Sequence, residues 1–160
     1  MIDYTRQQIA EMEVMAVVKP AGTQTNGFGV FLSSSPSPFE SGDHFKLVKE
    51  NLDYDDPLND FNSVDYDVIL VDNKNISNEK RYTGTASIAN EKISGQSGAT
   101  IPGVLLLPSA PKVTEDTHSA KVDSWYLSAN AYVEIKDNSL VTMEAGRYTS
   151  TVYVHVIGFE

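Results

Sequence analysis

The chain has 160 residues, no cysteine, and 12 Lys plus Arg against 22 Asp plus Glu, a formal net charge of -10. This length fits one domain that can bury a core without staples. The acidic balance argues against nucleic acid and anionic membrane surfaces as partners, and the missing cysteines exclude disulfides, thiolate metal sites and cysteine nucleophiles.

Residues 2–10 read as a short helix or a tail. From Ala10 the pattern turns to a period of two. Met12, Val14, Ala16 and Val18 fall on one side, and Glu11, Glu13 and Met15 on the other, which predicts a strand. Pro20 ends it, because proline cannot donate to a ladder. Asp3, Arg6, Glu11 and Glu13 also break any apolar leader within Met1–Pro20. Residues 20–27 are turn material, and Phe28–Leu32 reads as a short strand. The serine- and proline-rich run Ser33–Pro38 is a loop.

Asp43–Glu50 predicts a strand with Phe45 and Leu47 on one face. Asn51–Ser63 is an acidic loop. Val64–Val71 alternates cleanly and predicts one strand, followed by a turn at Asp72–Asn75 and a further strand over Arg81–Ala89. Val104–Leu107 is a continuous apolar run between Gly103 and Pro108, the pattern of a buried strand. Pro108–Thr117 reads as loop. Trp125–Ile135 and Tyr148–Ile157 are the last predicted strands. No segment longer than about ten residues has the 3.6 period of a helix. No apolar run approaches the roughly 20 residues of a membrane-spanning helix. Many short strands between turn signals predict an all-β sandwich or barrel in one domain.

Catalytic motifs are missing from the sequence. There is no nucleophile elbow, phosphate-binding loop or dinucleotide fingerprint, and His44, His118 and His155 have no metal-ligand spacing. The chain is therefore expected not to be an enzyme and to hold no cofactor and no metal. Asp53, Asp55, Asp56, Asp60, Asp65 and Asp67 are numerous enough to raise a cation site, but EF-hand spacing and its central glycine are absent, so a solvated acidic loop is expected. His155, in the last strand, is expected to face solvent or a partner. The eight tyrosines either form a glycan-stacking surface or lie at sandwich edges with ring buried and hydroxyl wet.

The two ends carry a resemblance. The N-terminal stretch Glu11–Pro20, alternating and closed by a proline, and the C-terminal stretch Glu144-Ala145-Gly146-Arg147-Tyr148 leading into Thr149–Val156, together resemble chaperone–usher pilins. Within that group the chain is most similar to the major pilins of the class 5, or alpha-type, colonisation factor antigen I fimbriae, which also lack cysteine. It departs from them in having Lys19 before Pro20 and in the eight or so residues that precede the alternating run.

The resemblance implies an immunoglobulin-like incomplete β-sandwich, residues 21–160, completed by a donor strand from residues 1–20 of a neighbouring copy. Met12, Val14, Ala16 and Val18 would enter the groove. Tyr148, Val152, Val154 and Val156 would border it and bind the periplasmic chaperone first. The implied function is that of a structural subunit of a bacterial surface fimbria, polymerising head to tail and supporting adhesion to host surfaces. Its implied partners are copies of itself, a periplasmic chaperone, an outer-membrane usher, a tip adhesin and a host glycan. Its implied place is extracellular, reached through the periplasm. Two alternatives stand beside it, a glycan-binding fimbrial adhesin of the same fold and an unrelated β-sandwich of a virion or cell surface.

Overall fold

A computed structural model of the chain describes residues 6–18, 27–50, 63–88, 102–109, 113–117, 120–135 and 145–159. These residues form ten strands. No helix occurs among them, so none is present that is long and apolar enough to cross a membrane. Strand pairing is antiparallel throughout, and the strands fall into three sheets. The largest contains β1 (Gln7–Val18), β8 (Ala120–Glu134), β5 (Asp67–Asp72) and β6 (Asn75–Tyr82) in that order, with β7 (Val113–Thr117) also paired to β8. A second joins β2 (Gly27–Ser33) to β10 (Tyr153–Phe159). A third runs β4 (Ser63–Asp65), β3 (Lys46–Lys49), β9 (Tyr148–Thr149). The expected all-β class is therefore observed.

The core draws on two of these sheets and the loops between them. Phe28, Val30 and Leu32 of β2 join Val68 and Leu70 of β5 and Leu127, Ala129 and Ala131 of β8. All seven residues of β2 are buried, the burial expected of an apolar run covered on both faces. One edge of β2 is filled by β10. On the other, Val30 and Leu106 exchange both backbone hydrogen bonds, at 3.0 and 2.8 Å. The apolar run 104–107 thus serves as a single bridge rather than a full strand, with Leu105 and Leu106 buried. Gly29 is what lets it approach, since a Cβ there would lie 2.7 Å from the Leu105 Cβ.

Other predicted segments also depart from the sequence reading. The alternating run at 64–71 is two strands in two sheets. It breaks at Tyr66, whose N–H donates to the Phe45 carbonyl (3.1 Å) and whose hydroxyl donates to Ser150 Oγ (2.7 Å). The run at 148–157 likewise splits into β9 and β10. The strand after the Asp72–Asn75 turn begins at Asn75 and stops at Tyr82, earlier at both ends than expected. It is an outer strand of its sheet, so polar residues suffice and alternation is weak. A further strand, β7, lies in the segment expected to be loop. Asp53, Asp55, Asp56 and Asp60 fall outside the described residues, and no cluster of metal-ligating side chains occurs among those described.

Buried polar groups fasten the irregular segments. The Asp72 carboxylate is 1% exposed. It accepts from Lys74 N (2.8 Å), Asn78 Nδ2 (3.1 Å), Ser109 N (3.1 Å) and the Ser109 hydroxyl. Asn78 also donates to the Leu107 carbonyl at 2.8 Å. One carboxylate therefore closes the β5–β6 hairpin and ties it to the segment around Ser109. Burial alone would push its pKa up, but these donors favour the charged form and hold it below the ordinary aspartate value. Tyr82 points its hydroxyl between the carbonyls of Val30 (3.2 Å) and Val104 (2.5 Å).

At the far end of β6, Gly84 has φ +108°. Its carbonyl accepts from Ser34 N at 2.9 Å, and a Cβ there would meet the Asp43 carbonyl oxygen and lie 2.6 Å from Phe45 N. Backbone on both sides cannot yield as a flexible side chain would.

Two stability predictions follow from these nodes. A folded pKa held low contributes stability that is complete above the unfolded aspartate value of about 4 and is lost as pH falls through the folded value. Asp72→Asn, which turns an amide toward existing donors, should lower stability at pH 7 by about 2 kcal/mol or more and flatten its acid dependence, measured by urea unfolding from pH 7 to 2.5. Gly84→Ala should cost about 2 kcal/mol or more, through the left-handed φ and the clash; an unchanged unfolding midpoint would contradict the packing described.

Candidate functional site

The alternating N-terminal segment and the C-terminal strand were the sequence's candidates, and the structure places both. β1 pairs with β8 of its own chain over eleven positions, from Gln7↔Val133 to Val18↔Asp123, with a register shift between Gln8 and Ala10. Met12 and Val14, opposite Ala129 and Leu127, are half-buried against the core. Ala16 and Val18 continue the pairing at Trp125 and Asp123. Glu11, Glu13, Ile9 and Met15 are exposed. Among the described residues β1 is the outermost strand of its sheet, and none of Gln7–Met15 is among the fully buried core.

The expected groove border lies elsewhere. Tyr148 sits in β9 and pairs with Lys49, whereas Val154 and Val156 sit in β10 opposite Leu32 and Val30. Val152 lies between the two strands, half-buried against the core. Within one chain, then, the expected donor strand and the strands of the expected border are not paired with each other among the described residues. β1 borders β8. Among the described residues β10 has a strand, β2, on one edge only, and Val154 and Val156 are each about half exposed.

His155 corrects the sequence reading. It is 8% exposed rather than turned to solvent, and its ring lies 4.7 Å from that of Phe31. Its Nε2 is 2.8 Å from Ser33 Oγ and 3.1 Å from the Ser35 carbonyl. A carbonyl only accepts, so Nε2 carries the proton and donates to both. Ser33 Oγ in turn donates to Ser35 O and accepts from Ser35 N. Its proton points away from the histidine, and Ser33 is wholly buried. The geometry is that of a clasp joining β10 to the start of the loop after β2. Ser35 and Ser37 repeat the motif, accepting the N–H groups of Ser37 and Phe39 at 3.2 Å. Sequence alone showed three serines at alternate positions but not that a distant histidine completes the first turn.

Among the described residues the tyrosines do not gather into one platform. Tyr66 and Tyr82 are core residues with bonded hydroxyls, so their edges are not wet. Tyr126 and Tyr132 are half-buried on β8, and contact with the Glu13 carboxylate pushes the Tyr126 phenol up.

An ion-pair cluster crosses the large sheet, and the sequence reading missed it. Arg6, just before β1, reaches Glu79 of β6 through two nitrogens at 2.9 and 3.3 Å, and lies 3.5 Å from Glu134 of β8. Arg81 of β6 contacts Glu134 (3.0 Å) and Asp67 of β5 (2.9 Å), and His44 stands 3.5 Å from Asp67. The hydrogen bond with Arg6 holds the Glu79 carboxyl below its ordinary range. Below this cluster Ile69, opposite both Arg81 and Tyr132, is 1% exposed although it is not part of the main core. The only sequence signal was charge of alternating sign on strands whose pairing was unknown.

No family model, curated protein or solved structure matches this chain.

The peripheral place of β1 makes a measurable prediction. Val14→Asp should lower stability by about 1–2 kcal/mol and leave the remaining sheets folded. Leu127→Asp, at its fully buried partner, should abolish folding. Thermal unfolding followed by near-ultraviolet circular dichroism compares the two, and equal collapse would make β1 integral to the core.

Proposed function

We propose that the chain is a structural subunit of a bacterial surface fimbria, exported through the periplasm with a chaperone and usher, whose copies join by passing the N-terminal strand from one to the next. The fold would then be an immunoglobulin-like sandwich completed by a donated strand. The observation that carries this reading is the position of β1. It lies at the outside of its sheet, paired among the described residues with β8 alone, and none of its residues Gln7–Met15 is fully buried. Eight residues separate it from β2, a connection long enough to redirect it. An element of this kind is what strand exchange and domain swapping transfer.

The edge it leaves, Asp123–Val133 of β8, lies beside the core residues Leu127, Ala129 and Ala131. An unpaired edge there templates another strand. Alternation matters because only one face of the incoming strand packs inward, and a one-step slip would reverse the faces. A head-to-tail contact of this type does not close, so it yields filaments.

The second reading is a self-contained β-sandwich of a virion or cell surface. The long register of β1 within its own chain favours it.

Engineered cysteines separate the two without background, because the chain has none. Glu13 and Ser128 face each other across β1 and β8. A Glu13→Cys chain mixed with a Ser128→Cys chain should give a disulfide-linked heterodimer, and residues 20–160 alone should fail to polymerise. A chain carrying both cysteines that closes only within itself, with no mixed dimer at any concentration, would establish the self-contained sandwich.

A further inference from the structure

We propose that Arg6, Glu79 and Glu134 form a latch that keeps residues 7–18 in their own sheet, and that opening it is the first step in releasing the N-terminal strand to a second copy. The release half of this inference rests on the strand-passing reading, whereas the latch itself does not.

The topology dictates where β1 must open. Its Val18 end continues through eight residues to β2, which is buried on both faces. Opening from that end would pull on the buried β2, so the more weakly held Gln7 end is where separation from β8 is easiest. Three observations make this end depend on the latch. Gln7 and Gln8 are cut off from the rest of the ladder by the register shift before Ala10. Residues 7–11 are all exposed, so no apolar burial holds them. Yet Arg6 spans β8 and β5 to grip Glu79 on the far side of the sheet with a two-point contact, and it also approaches Glu134. A forked guanidinium–carboxylate contact has directional strength that a single point charge lacks.

Glu79 and Glu134 are themselves fixed on paired strands. Arg81 holds Glu134 from the other side and is anchored by Asp67. The catch is therefore prearranged, and only Arg6 must be immobilised. Arg6 and Glu79 side chains are 39% and 40% exposed, so added salt should weaken the contact.

Hydrogen exchange on the full-length monomer, resolved by mass spectrometry, tests the latch. At low salt Arg6→Gln should raise exchange in β1 about five-fold and leave β5 and the core half of β8 unchanged. One molar NaCl should bring the wild type to the variant's rate and hardly alter the variant. Lys46→Gln, which removes a surface pair with Asp65 in another sheet, should leave β1 as it was. Equal β1 exchange in wild type and Arg6→Gln would overturn the latch, as would a uniform rise across all strands, which would mark the cluster as a general stabiliser. Added to the Glu13→Cys chain of the mixing assay, Arg6→Gln should also speed heterodimer formation by a similar factor. Faster β1 exchange with no mixed dimer in any variant would leave the latch standing and overturn the release step.

Discussion

The large sheet depends on the need of β8 for hydrogen-bonded partners on both edges. β8 is the longest strand among the described residues, and it supplies Leu127, Ala129 and Ala131 to the core. One edge is met by β5 and, toward its start, by β7; the other is met, among the described residues, by β1 alone. Backbone groups beside buried side chains are costly to leave unpaired. Some strand must therefore lie along Asp123–Val133. The physics fixes the need and leaves open which copy meets it, since a strand of the same sequence satisfies the same edge from either source.

That division also explains where this chain spends its polar groups. The core-forming strands meet through irregular crossings, and each crossing is held by a buried polar group with its partners in place: Asp72 at the β5–β6 hairpin, Tyr82 between two carbonyls, His155 on Ser33 and Ser35. Such contacts tolerate little rearrangement, because a half-satisfied network is worse than none. β1 is held differently, by ladder bonds, by exposed ion pairs and, among its described side chains, by the half-buried Met12 and Val14. Each of these is weak singly and can be remade elsewhere.

Much of this was legible in the sequence, and what was not has a physical cause. The all-β class followed from short strands between turn signals, and the inward pair Met12 and Val14 followed from period two. The splits at Tyr66 and between Thr149 and Tyr153 were invisible, because alternation continues through a residue that changes partners; the change depends on Phe45 and Ser150, distant in sequence. β6 began unnoticed because an outer strand needs no apolar face. His155 was misjudged because a strand's two faces look alike until its partner is known. Here the apolar-looking set Val154 and Val156 is half exposed while His155 is buried. The Arg6 cluster needed the strand order β1-β8-β5-β6 before its charges could be seen to meet.

Under the strand-passing proposal, the alternation that made residues 12–18 stand out has one meaning for the fold and another for assembly. For the fold it selects which face of β1 lies on β8, and any copy of the strand would serve. What distinguishes a resident strand from a transferable one is how its more weakly paired end is fastened, which alternation does not encode. In this chain that fastening lies outside the alternating run, at Arg6, and its receiving groups lie on β6 and β8. A strand whose binding face and whose anchor are separate can keep its fit while its residence changes, and that separation is what a reversible hold on an assembly strand requires.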